Sequence, residues 1–271
     1  MALHNLTQLG YGFNAQWAYS SDWMEKPLPA DNRMLDFMQK YQFNFLRIPI
    51  DYRFWLTDIE GEPLESFLKT LDSYVESAIS HNIHASINLH RAPGYCINGW
   101  ERERYNLWAD PIAQDAFEKL WVNLANRYKG KYKTEVSFDL VNEPPEIGQR
   151  GFTRDIHQQL IRRITNAIRK VDSDRLVVIN GLAGGHLAMP ELADLEVIHS
   201  GRGYQPMLAS TSPISARKTR SALSSSGVAS LFKITSKAPF SFAITGKAAA
   251  GCTTKDEPMA RKRSQFNVAR R

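Results

Sequence analysis

Residues 137–146, SFDLVNEPPE, place an amide and a carboxylate directly after an apolar run that is typical of a buried strand. Asn142 and Glu143 follow the run, and Pro144 and Pro145 then stop it. Removing a carboxylate from water costs free energy unless a partner or a function at that place compensates for it. A single glutamate beyond a strand is usually a surface residue, so the neighbouring strands decide what Glu143 means.

Polar side chains also close other predicted strands. Arg47 lies in FNFLRIPI and His90 in INLHRAPGY, and each follows an apolar run as Glu143 does. Pro144 disfavours the helical conformation at Glu143 and directs the chain out of its strand. If the strands are parallel, their carboxyl ends meet at one face, where barrel enzymes build their active sites. We therefore expect Arg47, His90, Asn142 and Glu143 to converge.

The elements that must position these residues alternate along the chain. The strand candidates are residues 9–14, 43–48, 84–90, 136–142 and 176–180. Three amphipathic helices are predicted between them: one from Asp110 as N-cap through Pro111 to a stop at Gly130, and two with apolar spacing over residues 67–79 and 156–171. Strands that alternate with helices predict parallel βα units with right-handed crossovers.

Two α/β architectures fit that alternation, a (β/α)8 TIM barrel and an open doubly wound sheet. The open sheet would be expected to carry a Gly-rich phosphate turn after its first strand, and none follows YGFNAQW. The barrel explains polar residues at the ends of successive strands. The sequence therefore favours a (β/α)8 TIM barrel, incomplete after the fifth to sixth βα unit.

Several of these motifs together resemble glycoside hydrolase family 5, the retaining (β/α)8 cellulases and related β-glycanases. The resemblance covers about residues 9–207 and rests on GFNAQW, FNFLRIPI, INLHRAPGY, LVNEPPE, DRLVVINGL and VIHSGRGYQP. It implies that Glu143 is the general acid/base and that Asn142 binds the sugar 2-hydroxyl. It also implies that Arg47 lies beside the catalytic nucleophile and that His90 contacts the sugar.

The same resemblance implies a nucleophilic glutamate at the end of a seventh strand, preceded by a His-Tyr pair on the sixth. Neither is found in this sequence. The only carboxylates after Met207 are Asp256 and Glu257, which we interpret as solvated charge. The implied activity is retaining cleavage of β-1,4-glucan, of the endoglucanase type. The alternatives are a β-mannanase or other β-glycanase, a catalytically inactive glycan binder, and an unstable truncated product.

Charge divides the chain near Leu208. The residues up to Leu208 hold 22 basic and 26 acidic side chains, whereas the last 63 residues hold 12 basic and 2 acidic ones. We therefore expect a barrel region over residues 1–207 and a basic Ser/Ala-rich tail over residues 208–271, in which SLFKI and FSFAI alone resemble strands. A change of reading frame near Leu208 is the explanation we favour, and a disordered basic tail has the same composition. Nucleic-acid binding is not expected, because no recognition motif accompanies the charge.

Aromatic residues cluster near the loops at the predicted mouth. Flat rings suit the apolar faces of β-linked sugars, and we select Trp17 and Trp100 as substrate-binding candidates. The full set, which favours an elongated glycan, is Trp17, Trp23, Trp55, Tyr95, Trp100 and Trp108.

Other ligands and compartments are weakly indicated. His81, His84 and His90 cross a helix end into a strand and cannot share a face, so no metal site and no cofactor are expected. Cys96 and Cys252 are too few for a disulfide framework. Without a signal-peptide pattern or a run of about 18 apolar residues, we expect no membrane and a cytoplasmic location for the chain as written, with a secreted parent as the alternative. The oligomeric state is not indicated.

Overall fold

The computed structural model describes residues 11–202, 231–235 and 239–244. Asp256, Glu257 and most of the predicted tail lie outside the described residues, as do residues 9 and 10 of the first strand candidate. SLFKI and FSFAI, the two strand-like stretches of the tail, do contain strands.

The described residues form a single sheet of eight strands. These strands are β1 Gly12–Asn14, β2 Phe45–Asp51, β3 His84–Arg91, β4 Val136–Asp139, β5 Leu176–Asn180, β6 Ile198–Gly201, β7 Leu231–Thr235 and β8 Pro239–Ile244. Strands β1 to β6 lie in sequence order and pair in parallel. Strand β8 pairs in parallel with β6, and β7 pairs in antiparallel with β8 as the last strand at that edge of the sheet. Six parallel strands in this order are the curled sheet of an incomplete (β/α)8 barrel, which confirms the predicted fold class.

Helices connect the parallel strands as predicted. They are α1 Asn32–Lys40, α2 Glu65–Ser80, α3 Pro111–Tyr128, α4 Arg154–Val171 and the short α5 Leu182–Gly185, with 3-10 turns at Tyr52–Phe54, Trp100–Arg102, Gln149–Gly151 and Pro190–Leu195. The three predicted helices are confirmed as α2, α3 and α4, and α1 was not predicted. None of the helices within residues 11–202 is both long and apolar enough to cross a lipid bilayer.

Strands β2 and β4 each end three residues away from the position that the sequence predicted. Strand β2 continues to Asp51, so Arg47 lies within the strand rather than at its end. Strand β4 ends at Asp139, three residues before Asn142. The backbone amide of Leu140 still donates to Val178, and that of Asn142 donates to Leu89. These alternating bonds to the strands on either side keep residues 140–142 between their neighbours after the regular pairing has stopped.

The buried Arg175 holds the connection between α3 and the start of β4. Arg175 donates to the backbone carbonyls of Tyr128, Lys131, Tyr132 and Val136, and its guanidinium lies 2.7 Å from Asp172. These bonds link the guanidinium to the carbonyls of the segment in which α3 ends and the chain enters β4. Arg175 therefore fixes the amino-terminal end of β4, the strand that leads to Glu143.

Candidate active site

Arg47 lies at the centre of the polar cluster inside the barrel. Its Nε is 2.7 Å from Asp139 Oδ2, and its terminal nitrogens donate to Asn142 Oδ1 at 2.9 Å and to Asn14 Oδ1 at 3.4 Å. The Arg47 and Asp139 side chains are 7% and 3% exposed. A charge buried this deeply requires a partner, and each supplies one to the other.

The sequence resemblance implied that Arg47 lies beside a nucleophilic glutamate. In the described residues its carboxylate partner is Asp139, which the sequence analysis did not select. Asp139 also accepts from Asn180 Nδ2 at 2.6 Å through its second oxygen, Oδ1. Both Asp139 oxygens therefore bind protein groups, which is typical of a carboxylate that holds its neighbours in place.

Glu143 leaves β4 in an unusual backbone conformation. Its φ is +46°, in the left-handed region, which costs a residue with a side chain about 1–3 kcal/mol and is found mainly at functional sites. Tyr95 Oη donates to the Glu143 carbonyl at 2.6 Å, and the Glu143 amide donates to Asn180 Oδ1 at 3.3 Å. The main chain is thus held from two sides, while the side chain keeps 16% of its surface exposed.

Arg202, just beyond β6, contacts both predicted functional residues after β4. Its Nε donates to Glu143 Oε1 at 3.2 Å, and a terminal nitrogen donates to Asn142 Oδ1 at 3.4 Å. It also donates to Ser200 Oγ at 2.7 Å and to Asn180 Oδ1. The cluster therefore pairs two arginines with two acidic side chains, Asp139 and Glu143.

Asn142 presents its amide nitrogen without a hydrogen-bond partner in the described part of the chain. Arg47 and Arg202 both donate to its oxygen, which fixes the orientation of the amide group, whereas Nδ2 is buried and makes no hydrogen bond to the described residues. Buried polar atoms normally have partners, so an unpaired donor beside Glu143 is suited to a ligand oxygen.

His90 lies at the edge of the same cluster. Its ring packs against Tyr19 in a tilted arrangement with centroids 4.4 Å apart, and Nδ1 is buried without a hydrogen bond to the described residues. Desolvation, with smaller effects from Arg47, Arg202 and Arg91, lowers the pKa of His90 to about 3. The imidazole is therefore neutral at neutral pH and can exchange hydrogen bonds with a hydroxyl group.

A cleft of about 410 Å³ opens beside His90. Its aromatic wall is formed by Tyr19 and Trp23, whose rings are 5.4 Å apart, and Trp23 is 77% exposed. Burial is the largest cause that raises the pKa of Tyr19, and Cys96 and Glu143 add smaller effects in the same direction. Arg91 and Asp22 form an ion pair in the cleft wall at 3.2 Å.

The two tryptophan candidates differ in their surroundings. Trp17 is 5% exposed and packs on Tyr74 at 5.0 Å, so it lies in the core, and sugar stacking on it stays a prediction. Trp100 is 41% exposed, and the Arg150 guanidinium lies 4.3 Å from its ring centroid. Its predicted sugar contact stays a prediction.

The structure brings together Arg47, Asn142 and Glu143, with His90 at the border, as the sequence predicted. It adds Asp139, Asn180 and Arg202, which the sequence analysis missed. Asn180 is the last residue of a correctly predicted strand, so the rule applied to the other strand ends could have found it. Across the described residues, no three His, Cys, Asp or Glu side chains are grouped as metal ligands.

Comparisons with known proteins agree with this architecture. Endoglucanase C from Acetivibrio thermocellus is 30% identical over 140 residues, which cover 51% of this chain and 38% of that protein. Endoglucanase 1 from Ruminococcus albus is 21% identical over 200 residues, covering 68% of this chain and 47% of its own length.

Solved structures extend the comparison to the fold. The crystal structure of a glycoside hydrolase is 52% identical with a TM-score of 0.71, covering 74% of this chain and 62% of that one. Endoglucanase Cel5A from Thermotoga maritima has a TM-score of 0.59 at 22% identity, with 74% and 62% of the two chains covered. In the sequence comparison above, this chain spans about two fifths of the length of endoglucanase C from Acetivibrio thermocellus. The family model described as cellulase, glycosyl hydrolase family 5, matches residues 8–215. The chain therefore belongs to glycosyl hydrolase family 5.

Proposed function

We propose that this chain carries the acid/base half of a retaining endo-β-1,4-glucanase, with Glu143 as the general acid/base. The observation that supports this most directly is the Asn142–Glu143 pair, which two buried arginines hold at the carboxyl end of the parallel strands. The names of the relatives point the same way, since endoglucanases recur among them. A Thermotoga maritima Cel5A structure, in a mutant form, is described with cellobiose as substrate.

In the proposed reaction Glu143 donates a proton to the glycosidic oxygen while a nucleophilic carboxylate bonds to the sugar C1, so that a glycosyl ester forms as the glycosidic bond breaks. Glu143 then removes a proton from the water that attacks C1 and displaces that carboxylate. The unpaired Nδ2 of Asn142 donates to a sugar hydroxyl, and neutral His90 forms a further hydrogen bond in the same subsite. Arg47 and Asp139 keep Asn142 in place.

A retaining enzyme also needs a nucleophilic carboxylate about 5–5.5 Å from the acid/base. Asp139 is not assigned to that role, because both its oxygens are bonded and its side chain is almost fully buried. No nucleophile is assigned within the described residues.

The test is the Glu143→Gln variant, assayed on cellopentaose by release of reducing sugar. Loss of proton transfer should lower kcat about 10²–10⁴-fold. Glu146→Gln, an exposed glutamate three residues further on, is the matched control and should keep the wild-type rate. With 2,4-dinitrophenyl β-cellobioside the leaving group needs no proton, so release of dinitrophenol in the first turnover should be far less affected. Equal rates for wild type and Glu143→Gln on cellopentaose would remove Glu143 from the mechanism.

An inactive glycan binder is the second candidate, because both arginines of the cluster already have carboxylate partners, Asp139 and Glu143. Calorimetric binding of cellotetraose without release of reducing sugar would select it. A parallel titration with mannotetraose tests the choice between glucan and mannan.

A further inference from the structure

The chain that follows β5 forms an unusual turn beside Glu143. In this glycine turn, residues 181–185 with the sequence GLAGG, three successive residues have left-handed backbones, with φ of 54°, 69° and 95° at Ala183, Gly184 and Gly185. The structure shows a hydrogen-bonded turn that contacts two parts of the site.

On one side the glycine turn holds the prolines that follow Glu143. The Gly184 amide donates to the Pro144 carbonyl at 2.9 Å, and the Ala183 amide donates to the Pro145 carbonyl at 3.1 Å. Prolines lack an amide hydrogen, so these carbonyls are the backbone groups through which the segment can be held. The exit of the chain from Glu143 is thereby fixed.

On its other side the glycine turn makes room for Arg202. The Arg202 amide donates to the Gly185 carbonyl at 3.0 Å, and a Cβ added to Gly185 would lie 2.2 Å from Arg202 Cγ. Any larger residue at position 185 must therefore displace the stem of Arg202. The positive φ of Gly185 independently favours glycine.

The Arg202 guanidinium donates to Ser200 and to three residues of the site. Its side chain is 1% exposed, and its partners include Glu143, Asn142 and Asn180. A planar guanidinium presents its donors in fixed directions, so it can set the orientation of several acceptors at once. A lysine in its place would reach fewer of them.

We propose that Arg202, seated by the glycine turn, is a positioning residue that sets the orientation of the Glu143 carboxylate and the Asn142 amide. The inference deepens the proposed function, on which its catalytic meaning rests. The orientation of the Asn142 side chain can be measured whether or not the chain hydrolyses a glycan.

The first experiment follows the Asn142 side-chain amide by NMR in ¹⁵N-labelled protein, with the resonance assigned from an Asn142→Asp variant. In Arg202→Met the cross-peak should shift and broaden, because one of the two donors to its oxygen is lost. Arg202→Lys should give an intermediate change. Arg150→Met removes a nearby arginine that stacks on Trp100 instead, and it should leave the cross-peak in place.

Gly185→Ala provides a second route, because it displaces the arginine stem while the guanidinium remains. It should change the Asn142 cross-peak in the same direction as Arg202→Met, and Gly148→Ala, at another left-handed glycine with open space around it, should not. An unchanged cross-peak in folded Arg202→Lys and Gly185→Ala variants would overturn the proposal, even if Arg202→Met fails to fold.

Hydrolysis of cellopentaose separates this proposal from the proposed function. Where wild type is active, misplacement of Glu143 in Arg202→Met should lower kcat by about 10–100-fold with a much smaller change in KM. Partial rescue by lysine is expected, and equal kcat in wild type and Arg202→Met would contradict the positioning role. If wild type neither hydrolyses nor binds cello-oligosaccharides, the proposed function fails, and the NMR comparison still decides the role of Arg202.

Discussion

At the scale of single residues, the Arg47–Asp139 pair is a buried ion pair in which each charge depends on the other. Its partners are 2.7 Å apart and nearly inaccessible to water. Removing one charge leaves the other buried without compensation, which typically costs about 3–5 kcal/mol. We expect Asp139→Asn to lower the free energy of unfolding by that amount in urea denaturation. Asp174→Asn breaks the exposed pair with Lys133, which water screens, and should leave the free energy of unfolding close to the wild-type value. Similar losses in the two variants would show that the buried pair is not a stability determinant.

Residues at strand ends could be predicted from the sequence, whereas their partners could not. Arg47, Asn142 and Glu143 stand out because polar groups interrupt apolar runs in a regular place. Asp139 lies 92 residues from Arg47, and Arg202 lies 59 residues from Glu143. No local pattern joins such pairs, because the barrel alone brings them together.

At the scale of elements, α4 depends on a side-chain cap. Thr153 has an extended backbone and its Oγ1 accepts from the Ile156 amide at 3.2 Å. Loss of an N-cap typically costs about 1 kcal/mol, so Thr153→Ala should lower the free energy of unfolding by that amount. Thr153→Ser keeps the oxygen and should stay close to wild type in the same urea titration. A serine variant as unstable as the alanine variant would assign the loss to the methyl group instead of the cap.

Helix α3 shows how a correct element can be predicted for a partly wrong reason. Pro111 begins the helix as predicted, but the side chain of Asp110 makes no capping bond to it. Asp110 instead accepts from the Asn106 amide at 2.7 Å and closes the preceding loop. Helix α1 was missed because only Leu35 and Met38 of its nine residues are buried, too few for a clear apolar period.

At the scale of the molecule, the repeated alternation of strands and helices sufficed to predict the barrel sheet. The order of β1 to β6 follows from short right-handed crossovers, which place each strand beside the last. The antiparallel pairing of β7 with β8 has no counterpart in that rule. The six parallel strands β1 to β6 lie between Gly12 and Gly201, within the residues 8–215 that the family model matches.

Three buried histidines and the partly buried His90 make the stability of the molecule dependent on pH. Desolvation is the largest cause in each and lowers the pKa of His84 and His199 to about 4 and of His90 and His157 to about 3. Unfolded histidine has a pKa of about 6.5, so below that pH the unfolded chain binds protons that the folded chain refuses. Their contribution is fully present above pH 6.5 and is lost as the pH falls toward 3 to 4.

His157 allows this effect to be isolated. Neither ring nitrogen has a hydrogen-bond partner among the described residues, and the ring packs between Trp108 and Phe152. Wild type loses stability between pH 7 and pH 5, and we expect this loss to be smaller by about 2 kcal/mol in His157→Leu. Urea titrations of both proteins at the two pH values measure that difference. His186→Gln, at an exposed histidine, should leave it unchanged. The same loss in His157→Leu as in wild type would show that acid destabilisation comes from other groups.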